Sequence, residues 1–207
     1  MKLEKQVDKS AYSFERYVKI DRWSSYFYQL REILYKNPSS VLEVGVGDGM
    51  VGDYLLNHTK VDYKSLDIAE DLKPDILGSV TDIPLPDNSF DMVCAFEILE
   101  HLPFSSFDKA ISELFRVSKS FVIISLPHFG PPVIFDLKFP FLPHVKFALK
   151  IPYPKKHIFN GQHYWEIGKS GYSAKKIKNV LKTYGNLVSE FVPFENQYHH
   201  FFILKKK

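Results

Sequence analysis

The stretch Val41-Leu42-Glu43-Val44-Gly45-Val46-Gly47-Asp48-Gly49 constrains this chain more than any other. A short apolar run ends beside an acid and then breaks into three glycines at alternate positions. Buried strands of parallel sheets read as such runs. Alternating glycines allow a sharp turn and leave no Cβ in the way of a ligand. The residues from about Met50 to Asn57 read as a helix, whose first N–H groups have no intrahelical partner and face the loop. Strand, glycine loop and helix form a unit suited to a nucleotide-like ligand.

The 207 residues fit one domain, and 45% hydrophobic with 25% charged residues is the balance of a soluble globular protein. A net charge of +3, with only Lys205-Lys206-Lys207 as a basic run, gives no nucleic-acid footprint. The lone cysteine, Cys94, rules out an intramolecular disulfide and fits a reducing compartment; within its apolar run it reads as a core residue. The first residues carry charges throughout and show no signal-peptide core, and no stretch reaches the roughly 18 apolar residues that span a bilayer. The expected location is cytoplasmic.

Along the chain, residues 1–36 read as helical, a helix or two in an N-terminal cap (1–37) that packs on the sheet or closes over a ligand cleft. Asp62 to Ile68 reads as a second strand ending in an acid, and Asp75 to Ser79 as a short third one. Phe90 to Phe96 is a buried fourth strand and Ser120 to Leu126 a fifth. Between those two, Phe107, Ala110, Ile111, Leu114 and Phe115 have helical spacing. The alternation predicts an α/β fold, a doubly wound Rossmann-like sheet that is mostly parallel, with residues 38–126 as its cofactor-binding core. Residues 127–170 form an insertion after the fifth strand, with prolines at 127, 131, 132, 140, 143, 152 and 154. A helix from Ser173 to Tyr184 and strands at 187–192 and 198–204 follow. The joint between those strands is too short for a helical crossover, so they pair antiparallel.

A dinucleotide loop of the G-x-G-x-x-G type would place its third glycine one residue later, where Met50 stands. Glu43 two residues before Gly45, Asp67 about 20 residues past the glycines, Asp82-Ile83 before the fourth strand, and the stretch Phe90 to Leu102 form a different set. With the antiparallel terminal pair, the chain resembles the class I S-adenosylmethionine-dependent methyltransferases, closest to the ubiquinone/menaquinone-type group. The resemblance covers about 38–126 by motif and 173–205 by topology. It implies S-adenosylmethionine as cofactor, with Gly45, Val46, Gly47 and Gly49 under its methionine part and Glu43 supporting that loop. It further implies Asp67 on the ribose hydroxyls and Ile68 on the adenine face. Asp82 and the Ile83 N–H would take the adenine edge, and Phe96 and Glu97 the methyl end.

The expected reaction is methyl transfer to a small-molecule or lipid-like acceptor; a cofactor-binding scaffold without turnover is the competing class. His101 and His128, just past strand ends, are the candidate bases. The insertion reads as a lid or apolar acceptor pocket, with a membrane-surface contact or a homodimer interface as alternatives. The cluster His157 to Glu166 supplies candidate substrate contacts at His163, Tyr164 and Trp165, beside His128. It shows no recognised zinc spacing, and the reading assigns no metal. His199 and His200 sit on alternate faces of the last strand and read as weak site candidates.

Overall fold

The computed structural model describes residues 9–153 and 155–207. A seven-stranded sheet has the order β3-β2-β1-β4-β5-β9-β8, with β1 at Ser40–Val44, β2 at Asp62–Asp67, β3 at Ile76–Leu77, β4 at Phe90–Phe96 and β5 at Ser118–Pro127. These five are parallel, whereas β8 (Gly185–Phe191) and β9 (His199–Lys206) close the edge, β9 antiparallel to both β5 and β8. This is the mostly parallel α/β sheet with an antiparallel C-terminal strand that the sequence predicts.

Period-2 alternation builds two cores. Val41, Met92, Cys94, Ile123, Phe201 and Ile203 face α2 (Ile20–Tyr35) and α3 (Met50–His58), meeting Tyr26, Ile33, Val51 and Leu55. Leu42, Val44, Val93, Ala95, Val122, Ile124, Phe202 and Leu204 face the other way, onto α4 (Phe107–Val117) and α5 (Ala174–Tyr184). Cys94 is therefore a packed core residue.

The helical stretch read over 1–36 begins outside the described residues, and within them it divides into pieces. A 3-10 turn at Lys9–Tyr12 and α1 at Phe14–Tyr17 precede α2, because the backbone is extended at Val18 and Lys19. This lets α2 pack on the sheet while Tyr12 and Tyr17 reach the glycine loop, within about 4 Å of a Cβ built on Gly47. Packing and capping are thus shared between two pieces.

The insertion contains an unforeseen β-hairpin, β6 (Pro132–Leu137) against β7 (Val145–Lys150), with Phe135 opposite Phe147. Its prolines start a strand or occupy the connection, the positions a sheet tolerates. None of residues 132–150 lines the cavity at the C-terminal ends of the parallel strands, and nearly all of them are exposed.

Candidate functional site

A cavity of about 440 Å³ opens at the C-terminal ends of β1, β2 and β4. There the strand order reverses between β1 and β4, the place where open α/β sheets bind ligands. Val44, Gly45 and Gly47 form its floor, and Asp67, Ile68, Ala69 and Leu72 one wall.

Local chemistry fixes this floor. Gly45 has φ +89°, and a Cβ there would lie 2.2 Å from Ile98 Cγ2. Only glycine allows that turn and that approach. Its N–H donates to the Leu66 carbonyl (2.8 Å), which continues the β1–β2 ladder into the loop. Asp67 then ties two loops together. Its Oδ2 accepts from the Val46 N–H (2.9 Å) and its Oδ1 from the Ala69 N–H (2.8 Å). A carboxylate oxygen can accept twice, so Asp67 can hold the loops and still take hydrogen bonds from the cavity side. From above, Tyr26 Oη donates to Asp48 Oδ2 (2.5 Å), fastening the glycine loop to α2.

Glu43 is placed beneath the loop, not in the cavity. It is buried and accepts from Tyr63 Oη (2.5 Å). Burial pushes its carboxyl up to about 8, against the smaller opposing effect of the tyrosine hydrogen bond. The unfolded chain ionises this group near its ordinary value, so folding stability falls as pH rises through the window from 4.5 to about 8. Glu43→Gln keeps an acceptor for Tyr63 and removes the ionisable proton. It should raise stability by about 2–5 kcal/mol at pH 8 and leave it nearly unchanged at pH 4.5. Urea unfolding at the two pH values reads this directly, and equal effects at both would refute the burial argument.

Other expected positions scatter. Phe96 and Glu97 line the cavity, whereas Val46 and Gly49 sit on the loop's outer side. Asp82 is exposed and outside the lining, and the Ile83 N–H is already given to Glu113 Oε2 (2.9 Å) with its side chain in the core. The Asp82-Ile83 assignment is therefore corrected. The segment Gly78-Ser79-Val80 takes its place in the wall, because β3 is only two residues long and turns into the cavity earlier.

The histidines also reassort. His128 lies outside the lining, stacked on His200 (centroids 5.0 Å apart), with the two Nδ1 atoms 3.0 Å apart. Burial, reinforced by Lys150 and His200, holds its imidazole down at about 3. His128 is thus a packing residue. Trp165 is fully buried and donates through Nε1 to the Leu102 carbonyl (3.1 Å), and Tyr164 packs on the same core. Of the expected acceptor contacts, only His163 lines the cavity, together with His101.

The residue the sequence reading passed over is His199. Both terminal histidines are buried because β9 lies between β5 and β8 and is covered on each face. His199 pairs with Pro127 in the ladder, which brings it to the cavity end of β5. Its Nδ1 is 2.8 Å from Ser25 Oγ and its Nε2 is 3.5 Å from Glu97 Oε2. Burial, with Arg22 nearby, holds the imidazole at about 3, so it is neutral across the physiological range. Glu97 is partly exposed (12% of its side chain), has φ +53°, and is pushed up to about 8 by desolvation. Such strain is tolerated where surrounding structure over-determines it, and it clusters at sites. Tyr12, Tyr17 and Arg22 from the N-terminal segment complete the mouth.

The family profile of the methyltransferase domain matches residues 42–124. That span contains the glycine loop, Asp67 and β4 through most of β5. The chain has the class I methyltransferase fold. A curated S-adenosylmethionine-dependent methyltransferase from Mycolicibacterium smegmatis is 28% identical over 117 residues, 45% of this chain and 41% of that protein. The match thus spans about two fifths of that relative's length. Among solved structures, the Burkholderia thailandensis 1,6-didemethyltoxoflavin-N1-methyltransferase, with its acceptor and S-adenosylhomocysteine bound, superposes with a TM-score of 0.62 at 14% identity, over 96% of this chain and 84% of its own. The magnesium protoporphyrin IX methyltransferase of Synechocystis, with S-adenosylhomocysteine bound, gives 0.61 at 11% identity, over 99% and 90%. At these identities the structures establish this fold's likeness to methyltransferases across nearly the whole chain. No helix among the described residues is long and apolar enough to cross a membrane.

Proposed function

We propose that this chain transfers a methyl group from S-adenosylmethionine to a small-molecule or lipid-like acceptor. The observation that carries the reading is the cavity at the β1/β4 reversal, floored by Gly45 and Gly47 and walled by Asp67, inside a matched methyltransferase domain. Asp67 takes the ribose hydroxyls, which are donors wanting a carboxylate. Ile68, Leu72 and Val80 supply the apolar faces an adenine ring needs. The methionine part lies over Gly45 and Gly47, with the Arg22 guanidinium suited to its carboxylate. Its methyl end then points toward Phe96, Glu97 and His199.

Methyl transfer from a sulfonium asks the protein mainly for alignment, and holding both partners in line contributes about 7–11 kcal/mol. The methyl moves without its bonding electrons, which stay on sulfur as a neutral thioether, while an acceptor lone pair forms the new bond. A hydroxyl or N–H acceptor must also shed a proton, and His199 replaces His128 as the group placed to receive its hydrogen bond. His199→Ala should lower kcat about tenfold, the loss of one hydrogen bond, while S-adenosylhomocysteine affinity changes less than about threefold. An unchanged kcat, read as S-adenosylhomocysteine formed per minute, would remove His199 from the chemistry.

The narrower likeness to ubiquinone/menaquinone-type methyltransferases fits an apolar ring acceptor. The exposed Phe135, Phe139, Phe141 and Phe147 of the hairpin region, flanked by Lys138 and Lys146, form an apolar surface apart from the cavity. That hairpin is also the surface by which the protein would meet a membrane or a second copy. The lone buried Cys94 fits a cytoplasmic, reducing setting. The experiment is a screen of quinol, phenol, lipid and amine acceptors with S-adenosylhomocysteine as readout, expected to find turnover on at least one class. Silence across all of them with intact cofactor binding would favour the scaffold function.

A further inference from the structure

The β6–β7 hairpin sorts its residues by face. In an antiparallel pair, directly opposite residues share a face, as do alternate residues along each strand. The register sets Val133 opposite Leu149, Phe135 opposite Phe147 and Leu137 opposite Val145. All six are exposed, and together they make one wholly apolar face. The other face carries Asp136 opposite Lys146 and Pro132 opposite Lys150, around Ile134 and Ala148. Its lysines tie the hairpin to the body. Lys146 Nζ donates to Glu195 Oε1 (3.2 Å), and the same carboxylate accepts from Tyr28 Oη of α2 (2.9 Å). Lys150 Nζ donates to the His128 and Gln197 carbonyls. The Ile151 N–H closes the base on the Pro131 carbonyl (3.0 Å). The apolar face is thus presented on a fixed mount.

The tip supplies a second observation. The Leu142 N–H donates to the Phe139 carbonyl (3.3 Å) across a turn centred on Pro140 and Phe141, and Phe141 has φ +65°. Turns with proline first and a positive φ second take glycine or asparagine at that second place. Here a phenylalanine holds it, fully exposed, between exposed Phe139 and Leu142. The turn itself gives no reason for that side chain. Basic residues frame the apolar ones. Residues 127–165 hold five lysines (Lys138, Lys146, Lys150, Lys155 and Lys156) against one acid, Asp136, in a chain whose whole net charge is +3. Asp136 is itself paired with His144.

From this arrangement we infer that the hairpin docks on an anionic phospholipid bilayer. Phe139, Phe141 and Leu142 enter the interface, and the lysines meet the negative head groups. Charge decides between the occupants such a face could take. A two-fold dimer through it would bring two of these basic segments together, whereas negative lipids attract them. As a two-stranded sheet among the described residues, the hairpin has outward backbone groups that need water, so it stays at head-group depth. It leaves the sheet at the C-terminal end of β5, the end at which the cavity opens, so docking holds that end near the bilayer. Supply of a lipid-like acceptor from there rests on the methyl-transfer reading, whereas the docking does not.

Co-sedimentation of the full chain with phosphatidylcholine vesicles carrying about 30% phosphatidylglycerol, and with pure phosphatidylcholine vesicles, tests this. Saturable binding to the anionic vesicles is expected, about tenfold weaker on the neutral ones. Raising salt from about 0.1 M to about 0.5 M should weaken it by a similar factor. Phe141→Asn should weaken vesicle binding about tenfold, and it suits the turn better than phenylalanine, so misfolding does not explain a loss. Lys138→Glu should cost about tenfold as well. Tyr35→Ser is the control: Tyr35 is exposed just before β1, at the opposite end of the parallel strands, and its loss should change nothing. S-adenosylhomocysteine titrated into the same variants should bind as in wild type, which separates failed docking from failure of the methyltransferase reading. No vesicle binding by the wild-type chain, or equal binding to neutral vesicles, would overturn the docking. So would a wild-type dimer, seen by light scattering, that Phe141→Asn dissociates.

Discussion

Gly45→Ala is expected to lower stability by about 3 kcal/mol and to abolish measurable cofactor binding. Two costs add. A left-handed backbone with a side chain costs about 1–2 kcal/mol, and Gly45 holds φ +89°. Forcing a methyl into a filled space costs about 1–3 kcal/mol more, and that Cβ would sit 2.2 Å from Ile98 Cγ2. Ile98 stands next to Glu97, so relief of the clash moves the methyl end of the cavity. Gly49→Ala is the matched control, because φ is +80° there but nothing lies within 4 Å. Thermal unfolding should drop by about 10 °C for the first and about 4 °C for the second. Equal shifts would mean that Ile98 yields freely and that the loop is not set by this contact.

The second large effect is at Asp67. Asp67→Ala removes the acceptor for the Val46 and Ala69 N–H groups at once, freeing both the glycine loop and the wall beside it. Hydrogen bonds to a charged acceptor contribute about 1.5–3 kcal/mol each, so S-adenosylhomocysteine affinity should fall tenfold or more. Asp67→Asn should not rescue it, because its amide would set an NH₂ against one of the two N–H donors. Calorimetry on both variants reads this, and an Asn variant binding as well as wild type would show that one of the two carboxylate oxygens is dispensable.

The sheet was legible because its strands are buried on both faces. Phe90–Phe96 and Phe107–Val117 could be bounded from sequence to the residue, since one reads as a continuous apolar run and the other as a clear 3.6-residue stripe. The hairpin at 132–150 was not legible. Its apolar residues point to solvent on both faces, so the burial pattern that marks strands is missing, and its prolines draw attention to breaks instead.

The site was read in halves for a related reason. Gly45, Gly47, Asp67, Phe96 and Glu97 follow one another along the alternating unit, so spacing alone brings them together. His199 and Val80 reach the cavity by strand register and by the early end of β3, neither of which spacing records. His199 could have been found by pairing β9 against β5 and counting back from the Ser125–Phe201 partners to Pro127. His128 misled because a position just past a strand end does not fix which face of the sheet its side chain joins. His163 reaches the cavity through the Tyr164 and Trp165 hydrogen bonds to Glu100 and Leu102, contacts between segments far apart in the chain that spacing does not record.

The central claim is that this cavity is built for S-adenosylmethionine and not for a dinucleotide. Parallel calorimetric titrations of the wild-type chain with S-adenosylhomocysteine and with NAD test it most directly. Saturable one-to-one binding of S-adenosylhomocysteine is expected, lost in Gly45→Ala, with no measurable heat from NAD. Saturable NAD binding with none for S-adenosylhomocysteine would contradict it.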